Sequence, residues 1–140
     1  MIEYNMIVVQ PQGVWKHMRK NENELKIAVA GIGYVGLANA VLLAQSCEVV
    51  AVDVDPRRVE TLNQRKSPII DREIEEYLAT NTLRLSATTD GDSAYRDADF
   101  VVISTPTNYD SLRNTFDTSS VESVIRQVVD QNPDAVIVII

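Results

Sequence analysis

Gly31-Ile32-Gly33-Tyr34-Val35-Gly36 spaces three glycines as G-x-G-x-x-G, and Asp53 follows Gly33 by twenty residues. Residues of these types at this spacing can hold a dinucleotide. Gly31 permits a tight turn, Gly33 lets the main chain approach phosphate oxygens, and Gly36 lets a helix pack closely on the preceding strand. The free N–H groups and positive dipole end of a helix starting there would face a diphosphate. A carboxylate at Asp53 can accept hydrogen bonds from adenosine ribose hydroxyls and repels a 2′-phosphate, which favours NAD over NADP. Arg57 and Arg58 argue the other way, because a nearby arginine can accommodate that phosphate. Taken singly, the glycines also suit an ordinary turn, and Asp53 a solvated acid at a strand end.

Residues 104–110, Ser-Thr-Pro-Thr-Asn-Tyr-Asp, form a second candidate group. Thr105 and Thr107 offer hydroxyls and Pro106 stiffens the turn, although the same residues make an equally good proline turn with capping threonines. Other polar candidates carry less chemistry. His17, the only histidine, has no partners at metal-ligand or triad spacing and reads as a solvated side chain. Cys47 has no basic residue within four positions to stabilise a thiolate and reads as inert. The sequence contains no zinc pattern and no nucleophile elbow.

The elements that must position these groups alternate. Apolar, partly β-branched runs at 25–30, 48–52, 83–87, 100–104 and 136–140 read as five buried strands. Helices are expected over 34–45, with a face of Val35, Ala38, Val41 and Leu42, and after Asp55 and Asp71, each a candidate N-cap. A short helix is expected over 93–98, and a long one after Ser119, capped with Glu122 and burying Val121, Val124, Ile125, Val128 and Val129. Ile74, Tyr77 and Leu78 share a face after Asp71. Strands that are apolar on both sides imply a parallel sheet covered by helices on both faces. The fold class predicted is therefore α/β, a doubly wound, Rossmann-type sheet ordered 3-2-1-4-5 and truncated after the fifth strand. In that order strands one and four open a crevice at their carboxyl ends, faced by the glycine turn and Thr105.

At 140 residues the chain suits a single domain: residues 1–24 read as a loosely ordered extension and 25–140 as the dinucleotide-binding unit. A net charge of −7 disfavours nucleic acid and anionic membrane surfaces. The uncharged stretch from Ile27 to Cys47, preceded by four basic residues, raises the question of a membrane span or signal peptide. Its glycines, Asn39, Gln45 and Ser46, and the second apolar run after it, argue against both. A single cysteine fits a reducing compartment, hence the cytoplasm.

Five ordered segments then carry a resemblance: "KIAVAGIGYVGL", "VDVDPRRVETLN", "SPIIDREIEEYL", "AYRDADFVVISTPTNYD" and "FDTSSVESVI". Together they resemble the N-terminal NAD-binding domain of the UDP-glucose/GDP-mannose dehydrogenase family, its bacterial UDP-glucose 6-dehydrogenases above all, over residues 25–140. The resemblance implies oxidation of the C6 alcohol of UDP-glucose to a carboxylate, with two hydrides passing to two NAD⁺ and one water added. It implies that Gly31, Gly33, Tyr34, Val35 and Gly36 enclose the pyrophosphate, that Asp53 and Arg58 hold the adenosine end, and that Thr105, with Pro106 beside it, sits near the nicotinamide. The family's nucleophilic cysteine, its Lys, Asn, Asp and Glu partners, its dimer-forming helix and its UDP-binding domain belong to segments beyond residue 140. The chain is thus expected to be a fragment that binds NAD without catalysis and belongs to a homodimeric enzyme. UDP-N-acetylmannosamine is the alternative substrate, and a stand-alone nucleotide-binding module the alternative class.

Overall fold

The computed structural model describes residues 7–9 and 20–140. In chain order its elements are β1 (Ile7–Val9), β2 (Lys26–Ala30), α1 (Tyr34–Leu43), β3 (Glu48–Val52), α2 (Pro56–Asn63), α3 (Arg72–Thr80), β4 (Leu85–Thr88), α4 (Gly91–Arg96), β5 (Phe100–Ile103), β6 (Asn108–Asp110), β7 (Thr115–Asp117), α5 (Ser119–Gln131) and β8 (Val136–Ile139). Strands β4-β3-β2-β5-β8 form a parallel sheet in that order, the expected 3-2-1-4-5 arrangement. Period-two alternation splits its side chains between two cores. Ile27, Val29, Val49 and Ala51 pack against α1, α2 and α3, whereas Ala28, Ala30, Val101 and Ile103 pack against α4 and α5.

Register brings the carboxyl ends of three strands level. Ala30 pairs with both Val52 and Ile103, so the next residues, Gly31, Asp53 and Ser104, emerge side by side. Backbone bonds continue the ladder across them: Gly31 N–H donates to Val52 C=O at 2.8 Å, and Ser104 N–H to Ala30 C=O at 2.9 Å.

The two aspartates expected to start helices do so: Asp55 accepts the Arg57 N–H ahead of Pro56, and Asp71 accepts the Ile74 N–H. Asp90, not expected as a cap, starts α4 in the same way by accepting the Ser93 N–H. Each such cap is worth about 1 kcal/mol. Asn63, at the end of α2, donates to Ala87 C=O and accepts from Ala87 N–H, satisfying both groups of a residue on the edge strand β4. At the opposite end of the sheet Asp99, 5% exposed, accepts from Lys20 Nζ at 2.7 Å and from Lys26 N–H at 3.0 Å, which fixes the chain entering β2.

Several expectations are corrected. Of the expected face of α1 only Val41 is buried, together with Leu37 and Ala40; Val35, Ala38 and Leu42 are exposed. A helix apolar almost all round does not announce its inner side. Val129 is 52% exposed and Tyr77 42%, each lying off the centre of its helix's apolar stripe. The cap of α5 is Thr118 rather than Ser119: its hydroxyl donates to Glu122 Oε1 at 2.8 Å, while Asp117 accepts the Ser119 N–H at 3.0 Å. Strand β4 and helix α4 are shifted from the expected bounds by about two residues, to 85–88 and 91–96.

Two elements were not expected. Residues 108–117 form the hairpin β6–β7, with Tyr109 edge-to-face on Phe116 at 5.2 Å and Asn114 in the left-handed region at φ 56°. Strand β1 pairs antiparallel with β8, Val8 opposite Val138, and adds a sixth strand at that edge. A β-branched Ile-Val-Val run suits an edge whose N–H and C=O groups are otherwise open. His17 lies outside the described residues. No helix among the described residues is long and apolar enough to cross a membrane. The uncharged stretch is instead β2, the glycine turn and α1.

Candidate dinucleotide site

Gly31 turns out of β2 with φ +99°, a conformation L side chains rarely adopt, and a Cβ there would lie 2.8 Å from the Ser104 carbonyl oxygen and 3.3 Å from the Thr105 nitrogen. The turn must therefore be glycine because β5's exit runs directly beside it. A Cβ at Gly36 would overlap the Gly31 carbonyl oxygen, so helix and turn touch backbone to backbone. Gly33 is different. It is the N-cap of α1, its φ of −90° is ordinary, and nothing lies within 4 Å of where its Cβ would stand. The protein itself does not need a glycine there, whereas a ligand approaching the main chain would.

No side chain caps α1. The first-turn amides of Tyr34, Val35 and Gly36 have no acceptor within the helix, and they stand at its positive end. Such a terminus accepts an anion without further side chains. Tyr34 and Val35 are exposed at this mouth, and the Tyr34 hydroxyl reaches to 3.4 Å from the Ile70 carbonyl oxygen, a long contact.

Asp53 joins the glycine turn more directly than spacing suggested. Its Oδ2 accepts the Ile32 N–H at 2.8 Å and its Oδ1 accepts the Asp55 N–H at 2.9 Å. With its side chain 9% exposed and Arg58 3.8 Å away, the carboxylate braces the loop and keeps lone pairs for further donors. Arg57 is committed elsewhere, to Asp55 at 3.2 Å. Their hydrogen bond holds the Asp55 carboxyl below its usual range and raises the Arg57 guanidinium above its own.

Across the turn, Thr105 and Pro106 follow β5. The Ser120 hydroxyl, on the first turn of α5, donates to the Pro106 carbonyl at 2.8 Å and lies 3.3 Å from Thr105 Oγ1. Ser120 was not among the expected site residues, and neither was Ser104, whose buried hydroxyl has no hydrogen-bond partner among the described residues. Pro106 and Thr107 are exposed beyond them. Gly31, Gly33, Gly36, Asp53 and Thr105 thus meet at one sheet edge, with Tyr34, Val35 and Arg58 around it. This set fits a dinucleotide: open space at Gly33, uncapped amides, a carboxylate beside the loop and an orphaned hydroxyl.

Two other features do not fit one. A cavity of about 510 Å³ beneath the hairpin mixes Arg113 with Asp110, Asp117 and Glu122, an acidic excess that repels phosphate. Cys47 is buried ahead of β3, at the opposite end of the sheet, and burial, followed by Glu22, pushes its thiol up against the opposing pull of Arg84. Among the described residues no cluster of His, Cys, Asp or Glu could hold a metal ion.

Comparison with known proteins agrees with this geometry. Residues 25–140 match the UDP-glucose/GDP-mannose dehydrogenase family, NAD binding domain. The chain is 51% identical over 115 residues to a UDP-glucose 6-dehydrogenase of Streptococcus pneumoniae, covering 82% of this chain and 29% of that protein. A UDP-glucose 6-dehydrogenase of Campylobacter jejuni is 46% identical over 110 residues, 77% of this chain and 28% of its own. Among solved structures, a GDP-mannose dehydrogenase ternary complex from Pseudomonas aeruginosa superposes with a TM-score of 0.67 at 35% identity, over 73% of this chain and 24% of that one. The chain therefore spans less than a third of the length of these relatives. With the glycine turn, Asp53 and Thr105 all inside the matched region, the chain belongs to the UDP-glucose/GDP-mannose dehydrogenase family, of which residues 25–140 are the NAD-binding domain.

Proposed function

We propose that this chain is the cofactor-holding part of a UDP-glucose 6-dehydrogenase, in which NAD⁺ supplies the hydride acceptor for oxidation of the sugar's C6 alcohol to a carboxylate. The observation that carries the reading is the uncapped start of α1 behind Gly33, braced to Asp53 through the Ile32 N–H. In this assignment the Tyr34, Val35 and Gly36 amides bind the diphosphate, and Gly31 and Gly33 let it come close. Asp53 accepts from the adenosine ribose hydroxyls while Arg58 lies along the adenosine end. Thr105, steadied with Pro106 by the Ser120 hydroxyl, borders the nicotinamide.

NAD is preferred to NADP because Asp53 would repel a 2′-phosphate and Arg57 is held by Asp55. UDP-glucose is preferred to UDP-N-acetylmannosamine on the strength of the 51% and 46% identities. Cys47, buried at the wrong end of the sheet, is no candidate nucleophile, so the 140-residue chain binds NAD⁺ without oxidising sugar. The parent enzyme is assigned to the cytoplasm, as a homodimer. Parallel calorimetric titrations of the chain with NAD⁺, NADP⁺ and UDP-glucose test this. Saturable binding of NAD⁺, at least about tenfold weaker NADP⁺ and no heat from UDP-glucose are expected. Equal affinity for NADP⁺, or NADH formed from UDP-glucose by this chain alone, would contradict the assignment.

A further inference from the structure

An arginine a few residues beyond a strand-end carboxylate can receive the 2′-phosphate of NADP. Arg57 is placed for that part: it stands in the first turn of α2 with its side chain 89% exposed. Three bonds turn it back instead. Its N–H donates to Asp55 Oδ1 at 2.9 Å, its Nε to the same oxygen at 3.2 Å, and its Nη2 to Asp55 Oδ2 at 3.2 Å. Asp55 is itself fixed beside the carboxylate assigned to the ribose, its N–H on Asp53 Oδ1 at 2.9 Å.

This side chain does more than a helix cap requires. A cap uses one oxygen, and asparagine caps as well as aspartate. The second oxygen and the negative charge go to the guanidinium, where a two-pronged contact fixes direction as well as distance. Arg58, by contrast, lies 3.8 Å from Asp53 itself. We propose that Asp55 is a further specificity-determining residue for the cofactor: it draws the Arg57 guanidinium onto its own carboxylate, so that an adenosine 2′-phosphate does not meet the cation that would otherwise receive it. Asp55 acts through Arg57 and is a positioning residue. The inference rests on the NAD-binding reading and deepens it. Because the pair is exposed to solvent and screened by salt, its effect on selectivity is several-fold rather than many orders of magnitude.

The test is a double-mutant cycle in the 140-residue chain: the parent, Asp55→Asn, Arg57→Gln and the double variant, each titrated with NAD⁺ and NADP⁺ and each unfolded thermally without ligand. Asparagine keeps the cap, so Asp55→Asn is expected to unfold at nearly the parent temperature and to bind NAD⁺ within about twofold of the parent, yet to bind NADP⁺ about three- to tenfold more tightly. Arg57→Gln is expected to cost NADP⁺ less than about twofold in the parent, where the guanidinium is already engaged, and at least about threefold in the Asp55→Asn chain. Unchanged NADP⁺ affinity in Asp55→Asn, or an equal cost of Arg57→Gln with and without the Asp55 carboxylate, would overturn the proposal while leaving the NAD reading intact. Matching changes for NAD⁺ and NADP⁺, or a lowered unfolding temperature with no change in their ratio, would make Asp55 a helix cap alone. A parent chain that binds neither dinucleotide would remove the NAD reading itself, and this inference with it.

Discussion

Gly31 and Gly33 are two residues apart and have opposite reasons for being glycine. At Gly31 the reason is internal: φ +99° and the Ser104 carbonyl leave no room for a side chain. At Gly33 the surroundings are empty, so the fold itself leaves room for a side chain and only a ligand seated there would exclude one. The two alanine substitutions therefore separate fold from function. Gly31→Ala is expected to destabilise by about 1–3 kcal/mol or more, through strain and collision, and to lower the unfolding temperature measurably. Gly33→Ala should lower stability by no more than about 1 kcal/mol, because alanine is a poorer N-cap than glycine but meets no clash, yet weaken NAD⁺ by about tenfold or more. A Gly33→Ala chain with undiminished NAD⁺ affinity would contradict the placement of the diphosphate. Asp53 shows the limit of spacing as a guide. Its place twenty residues after Gly33 suggests a ribose acceptor, but its bonds to the Ile32 and Asp55 amides, which make it part of the loop, come from register and are invisible in the motif.

At the scale of elements, the parallel strands and the Asp-started helices were legible because their signals are local: continuous β-branched runs, and an aspartate or Asp-Pro ahead of an amphipathic stretch. The hairpin β6–β7 was not, since its three-residue strands hold together by Tyr109 on Phe116 and by the left-handed Asn114 rather than by any alternation. Strand β1 was illegible for another reason: three residues pair only because β8 offers an edge far away in sequence. That pairing has a consequence. An apolar strand with open N–H and C=O groups invites another strand, and β1 occupies that place within the chain. Deleting residues 1–9 is expected to produce species that grow with concentration in light scattering, while NAD⁺ affinity stays as it was. A truncated chain that remains monomeric across the same range would show that β1 has no such protective part.

For the whole molecule, three strand ends drawn level by register bring residues scattered over much of the chain, Gly31, Asp53 and Ser104, to the candidate site. The architecture followed from the strand and helix pattern, and the glycines, Asp53 and Thr105 from their types and spacing. Ser104 and Ser120 did not, because what distinguishes them, an orphaned hydroxyl and a bond to the Pro106 carbonyl, exists only after folding. The central claim is that main-chain amides at the start of α1 grip the diphosphate of NAD⁺. Its most direct test is a titration of the isotopically labelled chain with NAD⁺, followed by amide nuclear magnetic resonance. Saturable shifts concentrated on Ile32, Gly33, Tyr34, Val35 and Gly36, with smaller ones at Thr105, are expected. Shifts centred on the hairpin or the amino-terminal edge of the sheet, or none at saturating NAD⁺, would contradict it.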